Sequence, residues 1–124
     1  MYALPQATIP TLNHFADGVY VREMHCLADT TIVGKVHKRE HFFMLAAGEM
    51  SLTGDGLAPR RVVAPFICVS APGVKRVGYA HTDCVVINIH RTDSKNLEEI
   101  ERELIEPDDT ALFNARNESL PWLG

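Results

Sequence analysis

An all-β body of the sandwich or barrel kind, followed by one C-terminal α-helix, is the fold class the sequence predicts. Short apolar runs recur from Val19 to His90 with turn residues between them, and strong helix formers take over after His90. Size agrees: 124 residues, 46% hydrophobic and 23% charged, suit a single domain able to bury one core without staples. The chain is read as one domain over 1–124, with the barrel at about 18–92 and the helix and tail at about 93–124.

The expected strands, in order, are Val19–Leu27, Thr31–His37, His41–Thr53, Arg61–Val69, Val74–Tyr79 and Cys84–His90. Turn residues separate them at Asp17-Gly18, Ala28-Asp29, Gly54-Asp55-Gly56, Ala71-Pro72-Gly73 and His81-Thr82-Asp83. Gly54-Asp55-Gly56 between two apolar runs predicts a hairpin, because Gly and Asp tolerate positive φ. Asp93 and Ser94 are the expected N-caps of the helix written in KNLEEIEREL, and Pro107 is its expected stop. Leu97, Ile100, Leu104 and Ile105 form one apolar stripe among acidic residues, which predicts a helix lying on the barrel with a solvated face. The ends, with Pro5, Pro10 and Leu120-Pro121-Trp122-Leu123, are irregular. The single Trp predicts that the tail packs on the barrel or on a second subunit.

Charge is unevenly shared. Residues 1–92 hold nine Lys/Arg against seven Asp/Glu, while residues 93–124 hold three against nine, for a net charge of −4. No long basic face emerges, which argues against nucleic acid as a partner. No apolar run reaches the roughly 18–20 residues of a membrane helix, and the start lacks the marks of a secretory signal. Cys26, Cys68 and Cys84 lie in apolar strand text without CxxC spacing, as small buried hydrophobes of a cytoplasmic protein do. No phosphate-binding loop, dinucleotide fingerprint, nucleophile elbow or HExxH is present.

The chemistry-bearing stretch is Gly34-Lys35-Val36-His37-Lys38-Arg39-Glu40-His41, followed by the apolar Phe42–Ala47 and then Gly48. This stretch resembles the first motif of the cupin family, a His-x-His pair, a Glu, and a Gly ending a strand. Gly48 matches the final Gly, His41 falls at the metal-binding Glu position with Glu40 one residue off, His37 at the second His and Lys35 at the first. Ala71-Pro72-Gly73-Val74-Lys75-Arg76 is similar to the second motif, with Arg76 where the family places its last histidine. The resemblance covers about residues 18–92 and implies a double-stranded β-helix, or jelly-roll barrel, often paired as a homodimer. The chain also looks like short cupin-like proteins carried by phages, which would place it in host cytoplasm.

The departures from the motif shape the functional expectation. The family's centre uses three imidazoles and a carboxylate to hold Zn, Fe, Mn or Ni. Ammonium and guanidinium have no lone pair to offer, so Lys35 and Arg76 cannot ligate. His37 and His41 are the metal candidates, and His25, His81, Cys84 and His90 are available as a third ligand without any spacing to mark one. Continuous strand alternation would put Lys35, His37, Arg39 and His41 on one face, and a single residue of phase would exchange His41 for Glu40. Lys35, His37, His41 and Arg76, with Tyr79 on the wall, then predict a basic pocket. Its ligand would be a small anionic molecule such as a phosphorylated metabolite, nucleotide or carboxylate, held without a complete metal centre and sequestered. Two alternatives stand beside it: a metal-dependent isomerase or dioxygenase using His37 and His41, and a structural or protein-interaction module.

Overall fold

A computed structural model describes residues 9–54 and 57–106. The strands are β1 (Thr11–Ala16), β2 (Val19–Cys26), β3 (Thr31–Val33), β4 (His41–Ala47) and β5 (Glu49–Gly54). They continue as β6 (Leu57–Val63), β7 (Phe66–Ser70), β8 (Arg76–Ala80) and β9 (Cys84–Arg91), and α1 (Leu97–Leu104) follows. They build two antiparallel sheets in the orders β1-β2-β9-β4-β7 and β3-β8-β5-β6. Partners distant in sequence, such as β2 with β9 and β4 with both β7 and β9, interleave as in a jelly roll. No helix among the described residues is long and apolar enough to cross a membrane.

Several expected boundaries are corrected. The span His41–Thr53 is two strands, because Gly48 turns the chain at φ 92°. A Cβ there would collide with the Asp83 carbonyl and come within 2.8 Å of Cys84 Sγ, so only glycine fits. Arg61–Val69 is likewise divided, at Ala64-Pro65, where proline cannot donate a ladder bond. Thr31–His37 leaves the sheet after Val33; Gly34 N–H donates to the Arg76 carbonyl at 2.8 Å and the chain then runs as a loop to Glu40. The barrel begins at Thr11 rather than about 18, since β1 is an edge strand with polar residues on both faces and no apolar alternation to announce it. Gly54-Asp55-Gly56 does stand between two strands that pair antiparallel, β5 and β6.

The helix start is also corrected. Asn96, not Asp93 or Ser94, is the N-cap, its side chain accepting from Glu99 N–H at 3.0 Å. Ser94 Oγ supports that cap by accepting from Asn96 N–H at 3.3 Å. The helix stops at Leu104 with Ile105 as C-cap, before Pro107 is reached. The expectations for Pro107, Leu120–Trp122 and residues 2–8 fall outside the described residues.

Two apolar clusters hold the molecule. Between the sheets, Phe43, Leu45, Met50, Leu52, Val62, Ala80, Cys84 and Val86 form the main core with Cys26. The expected helix stripe is realised in the second, where Ile100, Leu104 and Ile105 bury Tyr20 against the five-stranded sheet. Each fully buried side chain of this kind contributes roughly 1.5–3 kcal/mol of transfer free energy, which is what docks so short a helix.

Candidate metal centre

Inward-facing residues of the five-stranded sheet form rows set by strand register. Tyr20 pairs with His90 across β2 and β9, and His41 pairs with Ser70 across β4 and β7. Because Phe42 pairs with Ile89, the antiparallel register brings His41 beside His90 at the end of the sheet. The next row inward holds Arg22, Asn88, Phe43 and Cys68. His37 arrives from the loop ahead of β4, and its ring lies against both strand histidines. Ring centroids are 4.0 Å apart for His37–His41, 4.6 Å for His41–His90 and 4.9 Å for His37–His90. One ring nitrogen from each lies within 4.8 Å of the others.

The electrostatics favour neutral rings with free lone pairs. Burial lowers the His37 pKa to about 2, with the positive charge of His41, His90, Arg22 and Lys35 adding to it. Burial lowers His90 to about 3, with His41 and Arg22 contributing. His41 is lowered too, mainly by burial and further by Arg76, against the opposing pull of the Arg39 backbone and the Asn88 side chain. His37 Nδ1 and His41 Nδ1 are buried with no hydrogen-bond partner among the described residues. An orphaned buried nitrogen costs about 1–3 kcal/mol. A metal ion accepting both lone pairs would remove that cost, so the residues present fit a metal.

The expected site residues divide into two groups. His37 and His41 come together as read, and the phase question resolves: His41 is buried at 8% exposure while Glu40 faces solvent. Arg76 reaches the same end of the barrel, its Nη2 donating to Ser70 Oγ at 2.8 Å and its guanidinium 5.4 Å from the Phe43 ring centroid. Lys35 turns instead to the helix, where its Nζ is 3.1 and 3.2 Å from the two Glu101 carboxylate oxygens. Arg39 does likewise, pairing with Glu103 at 3.4 Å. The expected shared face of Lys35, His37, Arg39 and His41 therefore does not form, because the segment bends at Lys38–Arg39 instead of alternating. Tyr79 is not brought to the histidines: Gly78 and Ala80 face the core, while Tyr79 is exposed and donates to Asp29 Oδ1 at 2.7 Å.

Two members of the site carry no mark in the sequence, although His90 stands there among four possible third ligands. His90 supplies the third imidazole from β9, and Arg22, only 8% exposed, lies one row inward with Nε donating to Tyr20 Oη at 2.8 Å. The available signal was strand phase: Cys84, Val86, Asn88 and His90 are the same-face positions of one strand, and a polar end to an apolar inward row marks a site. His25 and His81 lie elsewhere, bonded to Glu23 at 2.6 Å and Ser51 at 2.7 Å.

No known family model and no curated protein matches the sequence. Solved structures do. A conserved protein with a double-stranded β-helix domain from Klebsiella pneumoniae superposes with TM-score 0.61 and 12% identity, over 73% of this chain and 82% of that one. An RmlC-like cupin family protein from Methanocaldococcus jannaschii gives TM-score 0.58 and 13% identity, over 69% and 82%. The fold is the cupin double-stranded β-helix. Salicylate 1,2-dioxygenase from Pseudoaminobacter salicylatoxidans shares it with TM-score 0.63 and 10% identity, over 78% of this chain but 29% of that longer one. Set against the cupin motifs quoted from the sequence, the residues of this chain that could hold a metal are a different set. Glu40 points away, Lys35 and Arg76 stand at two histidine positions, and His90 brings an imidazole from another strand.

Proposed function

We propose that this chain is a cupin-fold metal-binding protein in which His37, His41 and His90 hold one divalent transition metal beside a basic subsite for a small anionic molecule. The observation that carries it is the convergence of three ring nitrogens within 4.8 Å, all in rings that burial keeps neutral. An all-imidazole set suits Zn, Fe, Ni or Cu better than Mg or Ca. Three protein ligands leave coordination positions open, as catalytic rather than closed structural sites do. When bound, the metal would supply Lewis acidity at those positions.

The chain's own residues favour an anion there. Without a carboxylate ligand, a divalent centre keeps its full charge, and Arg76 and Arg22 add guanidinium charge beside the imidazoles. Arg76, half-buried and oriented by Ser70, presents a fork suited to a carboxylate or phosphate. Tyr20 stacks on His90 at 5.9 Å between centroids and 18° between ring planes. A second reading, a metal-dependent isomerase or dioxygenase, draws on the same imidazoles and is favoured by the open positions of a three-ligand set.

Metal analysis of the purified protein, followed by titration with Zn(II) and Co(II), tests the proposal. One metal per chain is expected, lost in His37→Ala, His41→Ala and His90→Ala alike. Arg76→Gln should retain the metal and weaken binding of inorganic phosphate or citrate to the loaded protein. Metal binding that survives removal of His90 would reject this centre, and anion binding indifferent to Arg76 would reject the subsite.

A further inference from the structure

We propose that α1 and the cap residues behind it form a latch that completes the metal centre, so that helix docking and metal binding are one linked equilibrium. The inference rests on the three-histidine centre proposed above, and it begins with how unequally the ligands are held. His41 and His90 belong to β4 and β9, neighbouring strands inside the five-stranded sheet. His37 belongs to no strand.

The loop carrying His37 is fixed largely from the helix side. His37 forms an isolated bridge with Ile105, the C-cap of α1. Lys38 N–H donates to the Leu104 carbonyl at 2.6 Å, and Glu106 N–H donates to the Val36 carbonyl at 2.8 Å. Side chains repeat the pattern: Lys35 with Glu101, Arg39 with Glu103 at 3.4 Å, and Lys38 Nζ donating to the Arg102 carbonyl at 2.8 Å. The ties from the barrel are Gly34 N–H to the Arg76 carbonyl at 2.8 Å and Gly73 N–H to the His37 carbonyl at 3.0 Å. The helix also backs a second ligand, because Ile100, Leu104 and Ile105 pack on Tyr20, whose ring stacks on His90. Glu103 also accepts a bond at 2.5 Å from Thr92 Oγ1, just beyond β9.

An eight-residue helix has no stability of its own in water, so α1 persists through these contacts. Undocking it frees the His37 loop and leaves a two-histidine remnant that holds a metal far less tightly. Thermodynamic linkage then requires that the factor by which docking raises metal affinity equals the factor by which metal stabilises docking. The acidic face of α1, which sequence reads as merely solvated, thereby acts on the site through the basic loop.

Amide hydrogen exchange of the full chain with and without saturating Zn(II) tests the latch, because α1 contains no metal ligand. Exchange at Ile100, Ile105, Glu106 and Lys38 is expected to slow at least about tenfold on metal binding. Ile100→Ser, which loosens the helix, and the milder Glu101→Gln are expected to weaken Co(II) binding, the first by at least about tenfold, with the β-sheet circular dichroism retained. Stoichiometric Zn(II) binding with unchanged exchange in α1, or unchanged Co(II) affinity in a folded Ile100→Ser protein, overturns the latch and leaves the metal centre standing. Failure of the wild-type protein to bind either metal overturns both.

Discussion

Acidification should destabilise the metal-free protein well before its carboxylates titrate. His37 and His90 are held at about 2 and about 3 by burial and by the positive groups around them, against an unfolded value near 6.5. Above pH 6.5 neither state binds these protons and the contribution to stability is flat. Below it the unfolded chain protonates while the folded chain does not, so more protons are bound in the unfolded state and stability falls with pH. The slope is up to about 1.4 kcal/mol per pH unit for each ring. From pH 6.5 to 5 the two rings together cost about 3 kcal/mol, a large part of the ~5–15 kcal/mol that holds a domain folded. His41 acts in the same direction. Glu23, whose carboxyl His25 and His14 hold below its usual range, stays ionised throughout that window. Urea midpoints of the metal-free protein at pH 7.5, 6.5, 5.5 and 5.0 give the measurement, with the slope m checked for constancy. The midpoint should be level above 6.5 and fall steeply below, and His90→Asn should flatten the acid limb. A midpoint independent of pH down to 5, or an acid limb indifferent to His90, would refute the burial argument.

Gly48→Ala should cost at least about 2 kcal/mol, because the new Cβ meets the Asp83 carbonyl and Cys84 Sγ at a backbone angle that L-residues avoid. Urea unfolding checks it, and a loss under half that size would show that the turn between β4 and β5 yields. The outer face of the five-stranded sheet exposes Phe42 at 47%, Ile67 at 55% and Val69 at 52%, and the expected homodimer would cover it. The wild-type protein is predicted to elute as a dimer in size-exclusion chromatography and Phe42→Glu as a monomer. An unchanged elution volume would remove this face from the assembly.

What could be read from the sequence follows local against tertiary information. The all-β class, the strand expected at Val19–Leu27 (observed as Val19–Cys26) and the helix stripe of Ile100 and Leu104 are written in local patterning, and all three appear in the fold. His37 and His41 were legible because the resemblance to the cupin motif aligned them through Gly48. His90 stood only as one of four possible third ligands, because its place beside His41 depends on the register of β9 against β4, and the two residues lie 49 apart in sequence. Lys35 is drawn away from the histidines for a related reason. Lys35 and Arg39 look unpaired in their own segment, and their partners Glu101 and Glu103 come from a helix more than 60 residues later. The uneven charge along the chain is thus partly a description of one contact, an acidic helix laid on a basic loop.

The most direct measurement is the metal content and Co(II) visible spectrum of the wild-type protein beside His90→Ala. One bound metal per chain, with a Co(II) spectrum that disappears in the variant, is the predicted result. No bound metal in the wild type, or the same spectrum without His90, would contradict a centre built from His37, His41 and His90.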